Sequence, residues 1–98
     1  MLTITQILNG SAPVTIIVFC QGSRPTDDTK WLALKLHDVA NGTERTIAKL
    51  PADTSVPGQI NVSGSGMTSG KAAYLSVAFT RANDKEIEGS NLVSIVPL

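Results

Sequence analysis

The chain breaks into short runs of apolar and β-branched residues, cut at regular intervals by glycine, proline, asparagine and serine. No window sustains apolar positions at i, i+3, i+4 and i+7, so helices are not expected. Leu2 to Leu8 (LTITQIL) is one run, closed by Asn9-Gly10-Ser11. Val14 to Gln21 (VTIIVFCQ) consists almost wholly of strand formers and follows Pro13, a residue suited to the start of a strand. Gly22 to Thr29 is polar and predicts a loop.

Trp31 to Val39 alternates. Leu32, Leu34 and Leu36 share one strand face, and Trp31, Ala33, Lys35 and His37 share the other. Asn41-Gly42 then predicts a two-residue type I′ turn, whose two positions both need positive φ. Such a turn pairs Ala40 with Thr43, Asp38 with Arg45 and Leu36 with Ile47, setting opposite charges and apolar groups across from each other. Pro51 to Gly58 predicts a loop, Gln59 to Ser63 a short strand and Ser63 to Gly70 an inter-strand loop. Ala72 to Arg81 predicts a strand, Ala82 to Gly89 a charged loop and Asn91 to Val96 the last strand. The expected fold is all-β: a single antiparallel two-sheet sandwich of about seven strands, spanning residues 1–98 as one domain.

Composition narrows the function classes. With 42% hydrophobic and 16% charged residues, the chain is too apolar for a disordered segment. Lys+Arg and Asp+Glu stand at 8 each, so the basic excess that a phosphate backbone rewards is missing, and nucleic acid is not an expected partner. The apolar runs fall short of the ~20 residues that cross a bilayer, so membrane insertion is not expected. Met1-Leu2-Thr3-Ile4 lacks the basic and long apolar regions of a signal peptide. Cys20 is the sole cysteine, which rules out an internal disulfide and predicts a small buried hydrophobe.

Three elements resemble an immunoglobulin-type domain. Val14-Thr15-Ile16-Ile17-Val18-Phe19-Cys20 stands where the family's second strand ends in cysteine, and Trp31 where its third strand opens with tryptophan. Tyr74-Leu75-Ser76 is similar to the segment with a tyrosine two residues before the partner cysteine, Ser76 taking that cysteine's place. The stretch from Tyr74 to Ile95 equally resembles the last two strands of a fibronectin type III domain. The resemblance implies a sandwich held by packing alone, with Trp31 in its core. That placement turns Leu32, Leu34 and Leu36 outward as a self-association patch beside Ile47. The opposite reading buries the leucines, each worth about 1.5–3 kcal/mol, and is the cheaper one.

Candidate chemistry is sparse. His37 and Asp38 are adjacent on a strand and point to opposite faces, so they make no dyad, and no nucleophile stands near them in sequence. One His and one Cys fall short of a zinc ligand set. Asp27-Asp28 and Glu86/Glu88 are paired acids in loop-like segments where acids are usually hydrated. Asn83 to Glu88 lacks the spacing of a calcium loop. No catalytic residue, metal or cofactor is therefore expected. Asn9-Gly10-Ser11, Asn41-Gly42-Thr43 and Asn61-Val62-Ser63 match the N-glycosylation acceptor pattern, a mild pointer to an extracellular or particle surface.

The expectation that follows is a non-catalytic binding or adhesion module. Its contacts would come from Arg24, Asp27 and Asp28 in one loop, from Asp84 and Glu86 in another, or from a Trp31, Lys35 and His37 platform facing a protein or carbohydrate partner. The alternatives are a self-assembling structural subunit, a homo-oligomer joined through edge strands or the leucine row, and a small carbohydrate-binding protein.

Overall fold

The structure, a computed structural model, describes residues 1–9, 15–39, 41–52, 55–56, 59–63, 67 and 70–97, with the side chains of all but 9, 15, 55–56, 59 and 61–63. Its strands are β1 (Thr3–Asn9), β2 (Thr15–Ser23), β3 (Trp31–Asp38), β4 (Thr43–Pro51), β5 (Ser55–Val56), β6 (Gln59–Ser63), β7 (Ala73–Thr80), β8 (Glu86–Gly89) and β9 (Val93–Ile95). No helix occurs among the described residues.

These segments trace seven lines. β5 and β6 pair with successive parts of β2, at Gly22–Ser23 and at Thr15–Phe19, and so form one interrupted line. β8 and β9 do the same along β7, at Ala78–Thr80 and Ala73–Leu75. One sheet is therefore β1-β2-(β5/β6) and the other β4-β3-β7-(β8/β9), with every pairing antiparallel. The expected two-sheet architecture and strand number both hold.

Period two puts the core where the sheets face each other. Ile4 of β1, Ile16, Val18 and Cys20 of β2, Leu32 and Leu34 of β3, Ile60 of β6, and Leu75, Val77 and Phe79 of β7 form a single buried cluster. Leu32 is 2% exposed and Leu34 0%, and Leu36 packs against the cluster's edge. This corrects the idea that Leu32, Leu34 and Leu36 form a self-association patch, because the row lies inside the sandwich. Trp31 consequently takes the outward face and is half-buried there. Ser76 shares that outward face, whereas Cys20 points inward. The residues that carried the immunoglobulin resemblance therefore do not converge in the core.

Three expectations about loops also change. The β3–β4 reversal falls at Asn41-Gly42, but Asp38 pairs with Thr43 and Leu36 with Arg45, two residues out of the expected register. Asp38 is the physical reason. Its carboxylate accepts the Asn41 backbone N–H at 3.2 Å and the Asn41 side-chain amide at 2.8 Å, which closes a longer loop. Among the described residues of this loop, only Gly42, at φ +68°, adopts the left-handed region. Ala40 lies outside the described residues, as does most of the Ser63–Gly70 loop. Ser55–Val56 and Glu86–Gly89, both expected as loops, are short edge strands.

β1 is an edge whose outward backbone donors are partly closed off by the opposite sheet. The Leu2 N–H donates to Glu88 Oε2 at 2.7 Å, and the Ile4 N–H to Asn91 Oδ1 at 2.9 Å. Gly22 allows this closure, since a Cβ there would stand 3.0 Å from Leu2 Cα. Register shifts between Ile4 and Gln6, between Leu34 and Lys35 and between Phe79 and Thr80 interrupt the ladders to three edge strands, a common defence of exposed edges.

Candidate functional site

Burying Leu32, Leu34 and Leu36 commits the alternate residues of β3 to the outward face of the four-line sheet. In register there, Trp31 stands opposite Thr80, Ala33 opposite Ala78, Lys35 opposite Ser76 and His37 opposite Tyr74. On the other flank, β4 sets Glu44 opposite His37 and Lys49 opposite Ala33. β8 adds Glu86 beside Thr80. Ala33 and Ala78 are small and almost fully covered, at 2% and 0% exposure, so they form a floor beneath longer neighbours.

A continuous polar network crosses this face. Lys35 Nζ lies 3.2 Å from Glu44 Oε1 and 3.3 Å from Glu86 Oε1. His37 Nδ1 lies 3.3 Å from Glu44 Oε2, and His37 Nε2 lies 2.7 Å from Ser76 Oγ. Burial alone pushes the Lys35 ammonium down, but the hydrogen bonds it donates to Glu44 and Glu86 outweigh that and hold the group above its ordinary value. Lys35 therefore stays charged, with its side chain only 11% exposed. At the upper end, Lys49 Nζ sits 4.6 Å from the centroid of the Trp31 ring and 2.9 Å from Asp84 Oδ1. Asp84 adopts φ +66° in the tight turn between β7 and β8.

Ser76, His37 and Glu44 share the connectivity of a Ser–His–acid triad, which nothing in the sequence announced. Ser76 is only 8% exposed. The N–H of Val77, the next residue in the chain, is already bonded to Ser90 Oγ at 2.9 Å, so it does not offer an oxyanion donor. What the network does achieve is a charge pattern held in one geometry across β3, β4, β7 and β8.

Beside His37, at the hairpin end of the sheet, lies a cavity of about 410 Å³ whose lining includes Leu36, His37, Glu44, Arg45, Lys71 and Tyr74. At the opposite end, the β2–β3 loop is tied down. Asp28 accepts from Thr26 Oγ1, and Asp28 Oδ2 lies 2.6 Å from Arg81 Nε. Lys30 N–H donates to Thr80 C=O at 2.8 Å. The hydrogen bonds from Thr26 and then Arg81 hold the Asp28 carboxyl below the usual carboxylate range. Its folded value lies below its unfolded one, so the anchor is complete above the unfolded value and is lost as pH falls through the folded one. The Arg81 Hε resonance should consequently move only in strong acid, below pH ~4; movement near pH 6 would show that the Asp28 contact is not what holds it.

The residues expected to bind fall into two groups. Trp31, Lys35, His37, Asp84 and Glu86 come together on or beside one sheet face, whereas Arg24, Asp27 and Asp28 belong to the β2–β3 loop. Arg24 and Asp27 make no ion pair among the described residues. Sequence reasoning missed Glu44, Ser76, Lys49 and Tyr74, which only strand pairing brings to the face. Of the N-glycosylation candidates, Asn41 is exposed at the hairpin tip, and the side chains of Asn9 and Asn61 lie outside the described residues.

No protein-family model, curated protein or solved structure matches this chain. Fold and site define it as an all-β two-sheet sandwich with an ordered polar network on one outer face.

Proposed function

We propose that this chain is a non-catalytic binding module of the immunoglobulin or fibronectin type III kind, which engages a protein partner through the outward face of its four-line sheet. The grouping of strands supports that kinship: the first two lines and the fifth form one sheet, and the third, fourth, sixth and seventh form the other. Trp31 and Ser76 on the outer face depart from the immunoglobulin pattern, so the fibronectin type III variant is the nearer analogy. An extracellular or particle-surface setting fits a module of this kind.

The observation that carries the reading is the Glu86–Lys35–Glu44–His37–Ser76 network. Fixed charges on a rigid sheet give electrostatic complementarity without an ordering cost at binding, which favours a protein surface as partner. A carbohydrate platform is less well supported, because Lys49 already lies over the Trp31 ring where a sugar would stack.

Arrays of extracellular protein domains and of glycans, probed with the folded chain, test this. Binding to one or more protein spots should fall at least ~10-fold with Glu44→Lys or Tyr74→Ala, rim and face changes of the size that weaken interfaces. Binding confined to glycans, binding indifferent to both variants, or no binding on the protein array would each overturn the proposal.

A further inference from the structure

The two sheets differ sharply in charge. None of the 8 Lys+Arg, the 8 Asp+Glu or the single His falls within β1, β2, β5 or β6. The solvent face of an antiparallel sheet ordinarily carries several such residues. Here the outward positions of β1 and β2 include Leu8, Ile17 and Phe19, with Thr3, Gln6 and Gln21 around them. Leu8 is 42% exposed, and Ile17 and Phe19 are half-buried and stand outside the core cluster. An aromatic and aliphatic centre, an amide and hydroxyl rim, and no charge are the composition of an interface core.

We infer that this face is a homodimer interface, occupied by a second copy of the chain about a two-fold axis. A two-fold contact sets a patch against its own copy, so any charge on it meets a like charge or must be placed to meet an opposite one. A charge-free patch meets its copy with neither repulsion nor an ion to desolvate. The opposite outer face, crowded with Lys35, Glu44, Glu86 and Lys49, has no such freedom. Size fits as well. Three strands about 4.8 Å apart and up to nine residues long cover roughly 14 by 30 Å, about 420 Å² per copy and about 840 Å² for the pair before side-chain relief is counted, the size of a weak, reversible contact. A contact in that size class is expected to be weak, with a Kd in the micromolar range. Sheet stacks on sheet, and the protein-binding face proposed above stays open on the far side of each copy.

Sedimentation velocity of the purified chain between about 5 and 500 µM should show a monomer–dimer equilibrium whose Kd changes little between 50 mM and 500 mM salt, because no charges meet. Phe19→Lys should raise that Kd at least ~10-fold. Gln21→Lys, at an exposed position, should weaken the dimer in the same direction, and salt should restore it by screening the new repulsion. Glu44→Lys, on the other outer face, should leave the dimer intact whatever it does to partner binding. A monomer throughout the range would overturn the inference. So would a dimer that salt dissociates, or one indifferent to both Phe19→Lys and Gln21→Lys.

Discussion

Replacing Phe79 by alanine should cost about 3–5 kcal/mol, the range measured when a large aromatic is removed from a packed core. Phe79 is fully buried on β7, opposite Leu32 of β3 on one flank and Glu88 of β8 on the other, and belongs to the buried cluster between the sheets. Total stability for a domain of this size is roughly 5–15 kcal/mol. The variant is thus left near the folding threshold, with a melting temperature lowered by some 15 °C or more. Phe19 is the matched control, because it has the same side chain on the central strand of the opposite sheet but faces outward. At concentrations of a few micromolar, Phe19→Ala should cost about 1 kcal/mol or less. Urea unfolding followed by Trp31 fluorescence and by circular dichroism would measure both. Equal losses in the two variants would mean that the sheets do not enclose the β7 face assigned to them.

That contrast rests on strand parity, the feature most legible in the sequence. Once Leu32, Leu34 and Leu36 are recognised as the apolar alternates of β3, the interior follows from burial energies alone, and Trp31 must turn outward whatever the family spacing suggests. The Cys20-to-Trp31 spacing matched the immunoglobulin pattern, yet a strand turned over by one residue puts the matched side chain on the wrong face. The hairpin was legible as a reversal but not in register. The Asp38 carboxylate competes for the turn's backbone, and dipeptide preference carries no information about such a partner. Glu86–Gly89 read as a loop because a short edge strand with solvated acids has the composition of one. The polar network was the least legible feature. Glu44 and Ser76 look like ordinary surface residues until β4 and β7 flank β3, and only then do His37 and Lys35 acquire partners from three other strands.

The thiol of Cys20 should be nearly inert in the folded protein. It is 2% exposed on β2, and burial pushes its pKa up. The thiolate is the reactive form, so native Cys20 lacks both access and ionisation. Modification by a disulfide reagent at pH 8 then requires the sandwich to open. It should run at least ~10³-fold slower than in denaturant, as expected when opening costs several kcal/mol. The same burial fixes the sign of an alkaline effect. The folded state holds the thiol proton more tightly than the unfolded state does, so this group's contribution to stability is complete below the unfolded value near pH ~8.5 and declines as pH rises through it. Unfolding free energies measured from pH 7 to 10 should accordingly fall more steeply for the natural chain than for Cys20→Ala, by at most about 1.4 kcal/mol per pH unit for one proton. The comparison of slopes cancels whatever the rest of the chain contributes, since the two chains differ only at position 20. Rapid labelling under native conditions, or identical slopes, would place Cys20 at the surface and leave the β2 face without its inward side.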